Sequence, residues 1–211
     1  MECKLFVFNP LQENTYVLFD QTCEAVLVDA GNATEQEDEQ LRTFIKSNNL
    51  TVKSLLCTHC HFDHIFGAQM IHGTYAAPIA FHEGDELWLD RYVSMCEMFG
   101  FLNRGEAPRA DIILHHGDEI RFGNSTLRVI HVPGHSQACV AFYCEADNAL
   151  FCGDILFKGS VGRADMPGGD ANQLVSEIKS KLLILPDQTL VYSGHGPTTT
   201  IGYERKNNPY L

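Results

Sequence analysis

The sequence predicts an α/β fold in which two β-sheets pack together with helices on their outer sides. Three observations predict it. The chain opens with short, β-rich runs; a helical pattern and a buried strand follow; strands and then a helix recur in that order in the second half. With 211 residues, 45% of them hydrophobic and 20% charged, the chain can bury a large core and lacks the composition of a disordered protein.

Leu5–Phe8, Thr15–Phe19 and Ala25–Ala30 read as the first strands, separated by polar turns containing Asn9-Pro10 and Asp20-Gln21. Residues 33–48 read as a helix, with Leu41, Phe44 and Ile45 at helical spacing and acidic residues near its start, where the helix dipole favours them. Ser54–Cys57 is a buried strand, residues 64–72 return to a helical pattern, and Pro78–Phe81 is a short strand. Residues 83–110 read as a helical insertion, rich in Met95, Met98, Phe99 and Phe101, that loosens into Asn103–Pro108. Its stretch from Trp88 to Leu102 suits plain core, a lid over a cleft, or a dimer face. His115-His116 are expected to cap a turn before Gly117-Asp118. Strands at Thr126–His131, Ala138–Cys144 and Ala149–Cys152, a helix at Asn172–Leu183 and a strand at Leu190–Tyr192 complete the order. With no Pro/Ser-rich linker and no repeat, residues 1–211 are expected to form one domain.

Fifteen basic against 27 acidic residues give a formal net charge of -12, which repels phosphate backbones and counts against a nucleic-acid partner. No stretch reaches transmembrane length, and the opening MECKLFVFNP is too short and too soon broken for a signal peptide. Eight cysteines, mostly in apolar runs, therefore read as reduced thiols. A cytoplasmic protein, monomeric or homodimeric and without a membrane partner, is expected.

Chemistry concentrates in His59-Cys60-His61-Phe62-Asp63-His64, at the mouth of an apolar strand. In extended backbone His59 and His61 point to one side and Cys60 to the other. Asp63 and His64 fall where a helix should start, which turns them elsewhere. One segment can thus feed two neighbouring metals, His59 and His61 on one, Asp63 and His64 on the other. Imidazole and carboxylate ligands of this mixture suit zinc, and also iron or manganese. His135, Asp154 and His195 each follow a strand on a Gly-containing loop, where functional groups are commonly displayed. They complete a balanced set if His135 joins the first metal, His195 the second, and Asp154 bridges. A structural zinc site using Cys57 and Cys60 lacks the intervening loop that zinc-finger spacing needs, and Cys57 belongs to the buried strand pattern.

The run resembles the H-x-H-x-D-H signature of the metallo-β-lactamase superfamily, with His135, Asp154 and His195 matching its later ligands in order. The resemblance extends from the early strands and Asp29-Ala30-Gly31 to His195. It implies a four-layer αββα sandwich with metals at one edge, His59, His61 and His135 on the first, Asp63, His64 and His195 on the second, and Asp154 between. Gly153–Phe157, Gly162–Asp165, Pro167–Asp170 and the closing Asn208-Pro209-Tyr210 are similar to the glyoxalase II branch, the hydroxyacylglutathione hydrolases. That likeness implies a small-molecule thioester substrate attacked by a hydroxide shared between two metals, with Asp63 and Asp154 in catalysis and Arg163 binding substrate. Where the branch carries tyrosines, this chain has Asp165 and Pro197. Gly159–Asp165 also fits the persulfide dioxygenases, which use one iron at positions matching His59, His135 and Asp154. A metal-binding protein without catalysis is the third reading.

Overall fold

The computed structural model describes residues 1–101 and 105–211, so Leu102, Asn103 and Arg104 of the expected helical insertion lie outside the described residues. The first sheet is built from β1 (Glu2–Phe8), β2 (Glu13–Phe19), β3 (Glu24–Val28), β4 (Thr51–Leu56), β5 (Ile79–Phe81) and β6 (Ile112–Ile113), in that order across the sheet. β1 to β3 pair antiparallel; β3 to β6 run parallel. Parallel pairing needs crossovers, and the helices supply them: α1 (Glu35–Ser47), the short α2 (Phe62–Ile65), α3 (Ala68–Tyr75) and α4 (Glu86–Met98). A capping box starts α1, with the Thr34 hydroxyl accepting from the Glu37 N–H and the Glu37 carboxylate accepting from the Thr34 N–H.

The second sheet contains β7 (Glu119–Phe122), β8 (Ser125–His131), β9 (Val140–Cys144), β10 (Ala149–Gly153), β13 (Leu190–Ser193) and β14 (Thr199–Thr200), ordered β14-β13-β10-β9-β8-β7. Between β10 and β13 lie a hairpin, β11 (Leu156–Phe157) with β12 (Ser160–Val161), and helix α5 (Ala171–Glu177), which widens into a π-helical turn over Ile178–Leu182. Helix α6 (Ile201–Asn207) follows β14.

Strand alternation sorts the side chains into layers. Val26, Val28, Phe142 and Phe151 face the space between the sheets, where they meet Tyr16, Leu56 and Val129. Leu27 and Leu55 point the other way, onto α1 to α4. Ala141, Leu150 and Cys152 point to α5, the π-helical turn and α6. Three apolar clusters separating four layers are what the αββα sandwich requires.

Several boundaries differ from expectation for identifiable reasons. The strand expected over Ala25–Ala30 ends at Val28, because Asp29 turns the chain with φ of 58°. The helix expected over residues 64–72 is broken at Gly67, whose N–H donates to the Ala30 carbonyl instead of continuing the helical ladder. A Cβ there would lie 1.9 Å from Asn32 Oδ1, so only glycine permits the approach. At His115-His116 the expected turn is present, with the Asp118 N–H donating to the His115 carbonyl.

β3, β4, β8, β10 and β13 all end at one edge of the sandwich, and the loops leaving them carry the residues discussed next. One of these loops is fixed by Gly134, where φ is +134° and an added Cβ would lie 2.5 Å from the backbone of Leu174 in α5. Gly134→Ala is expected to destabilise the fold by about 2 kcal/mol or more. Urea denaturation tests this, and an unchanged midpoint would show that α5 yields freely.

Candidate metal centre

The run after β4 places its side chains as the spacing predicts. Cys60 points into the apolar layer under α1 to α4, while His59 and His61 turn out of it, with His59 Nε2 3.0 Å from His61 Nδ1. His135, on the loop after β8, brings its Nε2 to 3.0 Å from the same His61 Nδ1. Three imidazole nitrogens meeting this closely match the edges of a tetrahedral site, about 3.3 Å for metal–nitrogen bonds of about 2.0 Å.

α2 begins at Phe62 and turns Asp63 and His64 to the neighbouring position. There Asp63, His64 and His195 form a second group, each with a ligand atom within 4.8 Å of the others', as in the His59-His61-His135 group. His195 Nε2 lies 3.3 Å from Asp63 Oδ2. Asp154 stands between the groups: its Oδ1 is 3.4 Å from His64 Nε2, and its Oδ2 is 3.8 Å from His135 Nε2 and 3.7 Å from His195 Nε2. Gly194 allows this crowding, since a Cβ there would lie 2.3 Å from Asp154 Oδ1 and 2.6 Å from the His64 ring. The seven residues named from sequence therefore converge.

Among the described residues, His64 Nε2 and Asp154 Oδ1 are buried and face each other at 3.4 Å as an ion pair, without a well-aligned hydrogen bond. Such atoms are costly to leave unpaired, and a cation between them satisfies both. Charge favours the same thing. Burial, and then the surrounding imidazoles, push His59 well below the usual imidazole range, and burial above all pushes His61 down to about 3. These two are neutral donors. Burial opposes charge on His64 as well, but the carboxylates of Asp154, Asp63 and Asp29 outweigh it and raise that imidazole well above its ordinary value. Burial likewise opposes ionisation of Asp154, yet the charge of His64 holds that carboxyl far below the usual range. The side chains thus create a field that retains positive charge, and divalent cations compete with protons for it. The donor set fits such ions.

Behind the ligands stand residues to which the sequence assigns no role in the site. Asp29, fully buried, accepts from the Thr58 N–H at 2.7 Å, from the Thr58 hydroxyl at 2.8 Å and from His64 Nδ1 at 2.9 Å. The Thr58 oxygen is 3.0 Å from His59 Nδ1. One carboxylate therefore orients a histidine of each group. Glu13 lies beside it, fully buried, 4.0 Å from His64 Nδ1, and burial raises its carboxyl well above the usual range. His135 Nδ1 donates to the Arg163 carbonyl at 2.6 Å, and His195 Nδ1 lies 3.0 Å from the Leu11 carbonyl. Those bonds leave each Nε2 for a ligand role. Trp88 of α4 packs its ring edge-on to His61, centroids 4.4 Å apart. Phe99, just after α4, stacks on Phe62 at 5.2 Å, so both ends of α4 pack against the ligand-bearing run. The guanidinium of Arg163 is exposed and makes a two-pronged pair with Asp165, at 2.9 and 3.1 Å.

Two sheets with ligands on loops at one edge, in this chain order, agree with comparison to known proteins: residues 8–195 match the sequence profile of the metallo-beta-lactamase superfamily. The chain belongs to the metallo-β-lactamase superfamily. A curated relative in this superfamily, hydroxyacylglutathione hydrolase GloC of Haemophilus influenzae, is 30% identical, with 100% of this chain and 98% of that protein covered. The crystal structure of BLEG-1 B3 metallo-beta-lactamase superposes with a TM-score of 0.90 at 38% identity, covering 100% of this chain and 99% of that one. TTHA1623, crystallised in a di-iron-bound form, superposes with a TM-score of 0.87 at 35% identity, covering 99% of this chain and 100% of that one. Superfamily membership and the His/Asp groups together support a metal-dependent hydrolase. Among the described residues, no helix is long and apolar enough to cross a membrane.

Asp29→Asn keeps a residue that tolerates the positive φ but removes the charge and one acceptor. It is expected to weaken metal binding on the order of 10- to 100-fold, measured by competition with a coloured chelator. Unchanged affinity would reduce Asp29 to a structural role.

Proposed function

We propose that this protein is a two-metal thioesterase of the glyoxalase II type. The observation that carries the reading is the position of Asp154, whose two oxygens face different groups, Oδ1 toward His64 and Oδ2 toward His135 and His195. On this reading His59, His61 and His135 hold one ion, Asp63, His64 and His195 hold the other, and Asp154 is shared. Zinc suits the donors best, and iron or manganese also fits them. Bound there, divalent ions would bring the pKa of a shared water toward neutrality and polarise a substrate carbonyl.

The chain's own groups have definite tasks in this scheme. Asp63, next to His195 Nε2, is assigned to orient the attacking water as well as to the second group. Asp154 would serve both groups, since its two oxygens face different ones. A thiolate leaves without a dedicated general acid, because thiols ionise at a pKa of about 8.5, so no further proton donor is needed. Arg163 is assigned to a substrate carboxylate. Its backbone carbonyl accepts from His135 Nδ1, so the residue belongs to a loop that touches the three-histidine group, and this supports the assignment. Its present partner Asp165 is exposed, and such surface pairs are worth only about 0–1 kcal/mol, so a substrate carboxylate can replace it at little cost. The name of the Haemophilus influenzae relative supports a glutathione thioester as the substrate class.

Elemental analysis combined with turnover of S-lactoylglutathione and of glutathione persulfide tests the proposal. Two divalent ions per chain with thioester cleavage, abolished in Asp154→Ala, is the expected result. One iron with oxygen uptake on the persulfide would replace the thioesterase with a dioxygenase. A metal-loaded chain inert toward both would contradict catalysis of either kind.

A further inference from the structure

Neither Asn14 nor Asp85 is a ligand in the two-metal reading, yet each grips the loops that present one of the two groups. His195 stands on the turn Ser193-Gly194-His195-Gly196 at the end of β13, where an isolated antiparallel bridge pairs it with Glu13 of β2. The side-chain amide of Asn14 in β2 donates to the Ser193 carbonyl at 3.0 Å and to the Gly196 carbonyl at 2.9 Å, so it spans this turn. The Asn14 backbone N–H adds a bond to the Gly194 carbonyl at 2.7 Å. An amide NH2 has two donor hydrogens, and both are used here on carbonyls that flank one histidine.

Asp85 occupies the equivalent place on the other side. It is buried, and its Oδ2 accepts from the Cys60 N–H at 2.8 Å and from the Ser136 hydroxyl at 3.1 Å. Cys60 lies between His59 and His61, and Ser136 follows His135. One oxygen thus ties together the two loops that supply the three-histidine group. The Asp85 carbonyl also accepts from the Trp88 N–H at 2.9 Å, which starts α4 and brings the Trp88 ring onto His61.

We propose that Asn14 and Asp85 are separate positioning residues, Asn14 for the Asp63-His64-His195 group and Asp85 for the His59-His61-His135 group. The inference rests on the two-metal reading of the site. It requires opposite chemistry at the two positions. Asn14 acts as a donor, so a carboxylate of the same size would face two carbonyl oxygens and repel them. Asp85 acts as an acceptor, so an amide of the same size still offers a carbonyl oxygen to both donors.

The test is calorimetric titration of the metal-free chain with Zn²⁺, counting equivalents and reading each affinity. Wild type is expected to bind two equivalents; one equivalent would overturn the two-metal reading, and this inference with it. If wild type binds two, the variants judge the inference alone. Asn14→Asp and Asn14→Ala should both keep one equivalent at wild-type affinity and weaken the other on the order of 10- to 100-fold. Asp85→Ala should weaken one equivalent similarly, and Asp85→Asn should restore it. Combining Asn14→Ala with Asp85→Ala should weaken both equivalents, because different sites are affected. Asn14→Ser, which keeps one donor, substitutes if Asn14→Asp does not fold. Loss of both equivalents in either single variant, wild-type binding in all, or failure of Asp85→Asn to restore affinity would overturn the proposal.

Discussion

A carboxylate withdrawn from water is stable only when donors take up its oxygens, and at Asp29 those donors are the Thr58 backbone, the Thr58 hydroxyl and His64 Nδ1. This satisfied, buried charge is what the rest of the centre is arranged around. It fixes which nitrogen of His64 is free, and through Thr58 it orients His59. It also requires the positive φ that ends β3, so the path of the chain and the orientation of the ligands have one cause.

The sandwich makes such an arrangement affordable only at its edge. Between the sheets Phe122, Phe142 and Phe151 are buried against apolar neighbours, where unpaired polar groups would be costly. At the strand ends the backbone leaves the ladders and its freed N–H and C=O groups can hold side chains instead. His135 and His195 are held in this way, each by a backbone carbonyl from a different part of the chain. The ligands are therefore presented by both sheets, and they come together only when the two sheets have packed. Folding and construction of the site are the same event.

Much of this was legible in the sequence, because ligand identity and strand periodicity are local signals. The density of His59–His64 marks the site, and the Gly-containing loops after strands mark His135, Asp154 and His195. The short strands β6, β7, β11, β12 and β14 carry too little periodicity to register, at two to four residues each, and the seven-residue α6 buries Ile201 as its one large apolar side chain, so it shows no apolar stripe. The break at Gly67 depends on a loop distant in sequence, at Ala30 and Asn32. Asp29 was noticed only as part of a resemblance, while Asn14, Thr58 and Asp85 gave no signal. A lone polar residue in or after a strand looks like surface until its partners are known. Arg163 reads from the sequence either as a grip for a substrate carboxylate or as a surface arginine paired with Asp165, and that pair is present.

The central claim is that seven side chains from two sheets form adjacent sites for two ions. Anomalous diffraction from crystals grown with Zn²⁺ tests it most directly. Two anomalous peaks are expected, one among His59, His61 and His135 and one among Asp63, His64 and His195, with Asp154 next to both. A single peak, or peaks away from these residues, would contradict it.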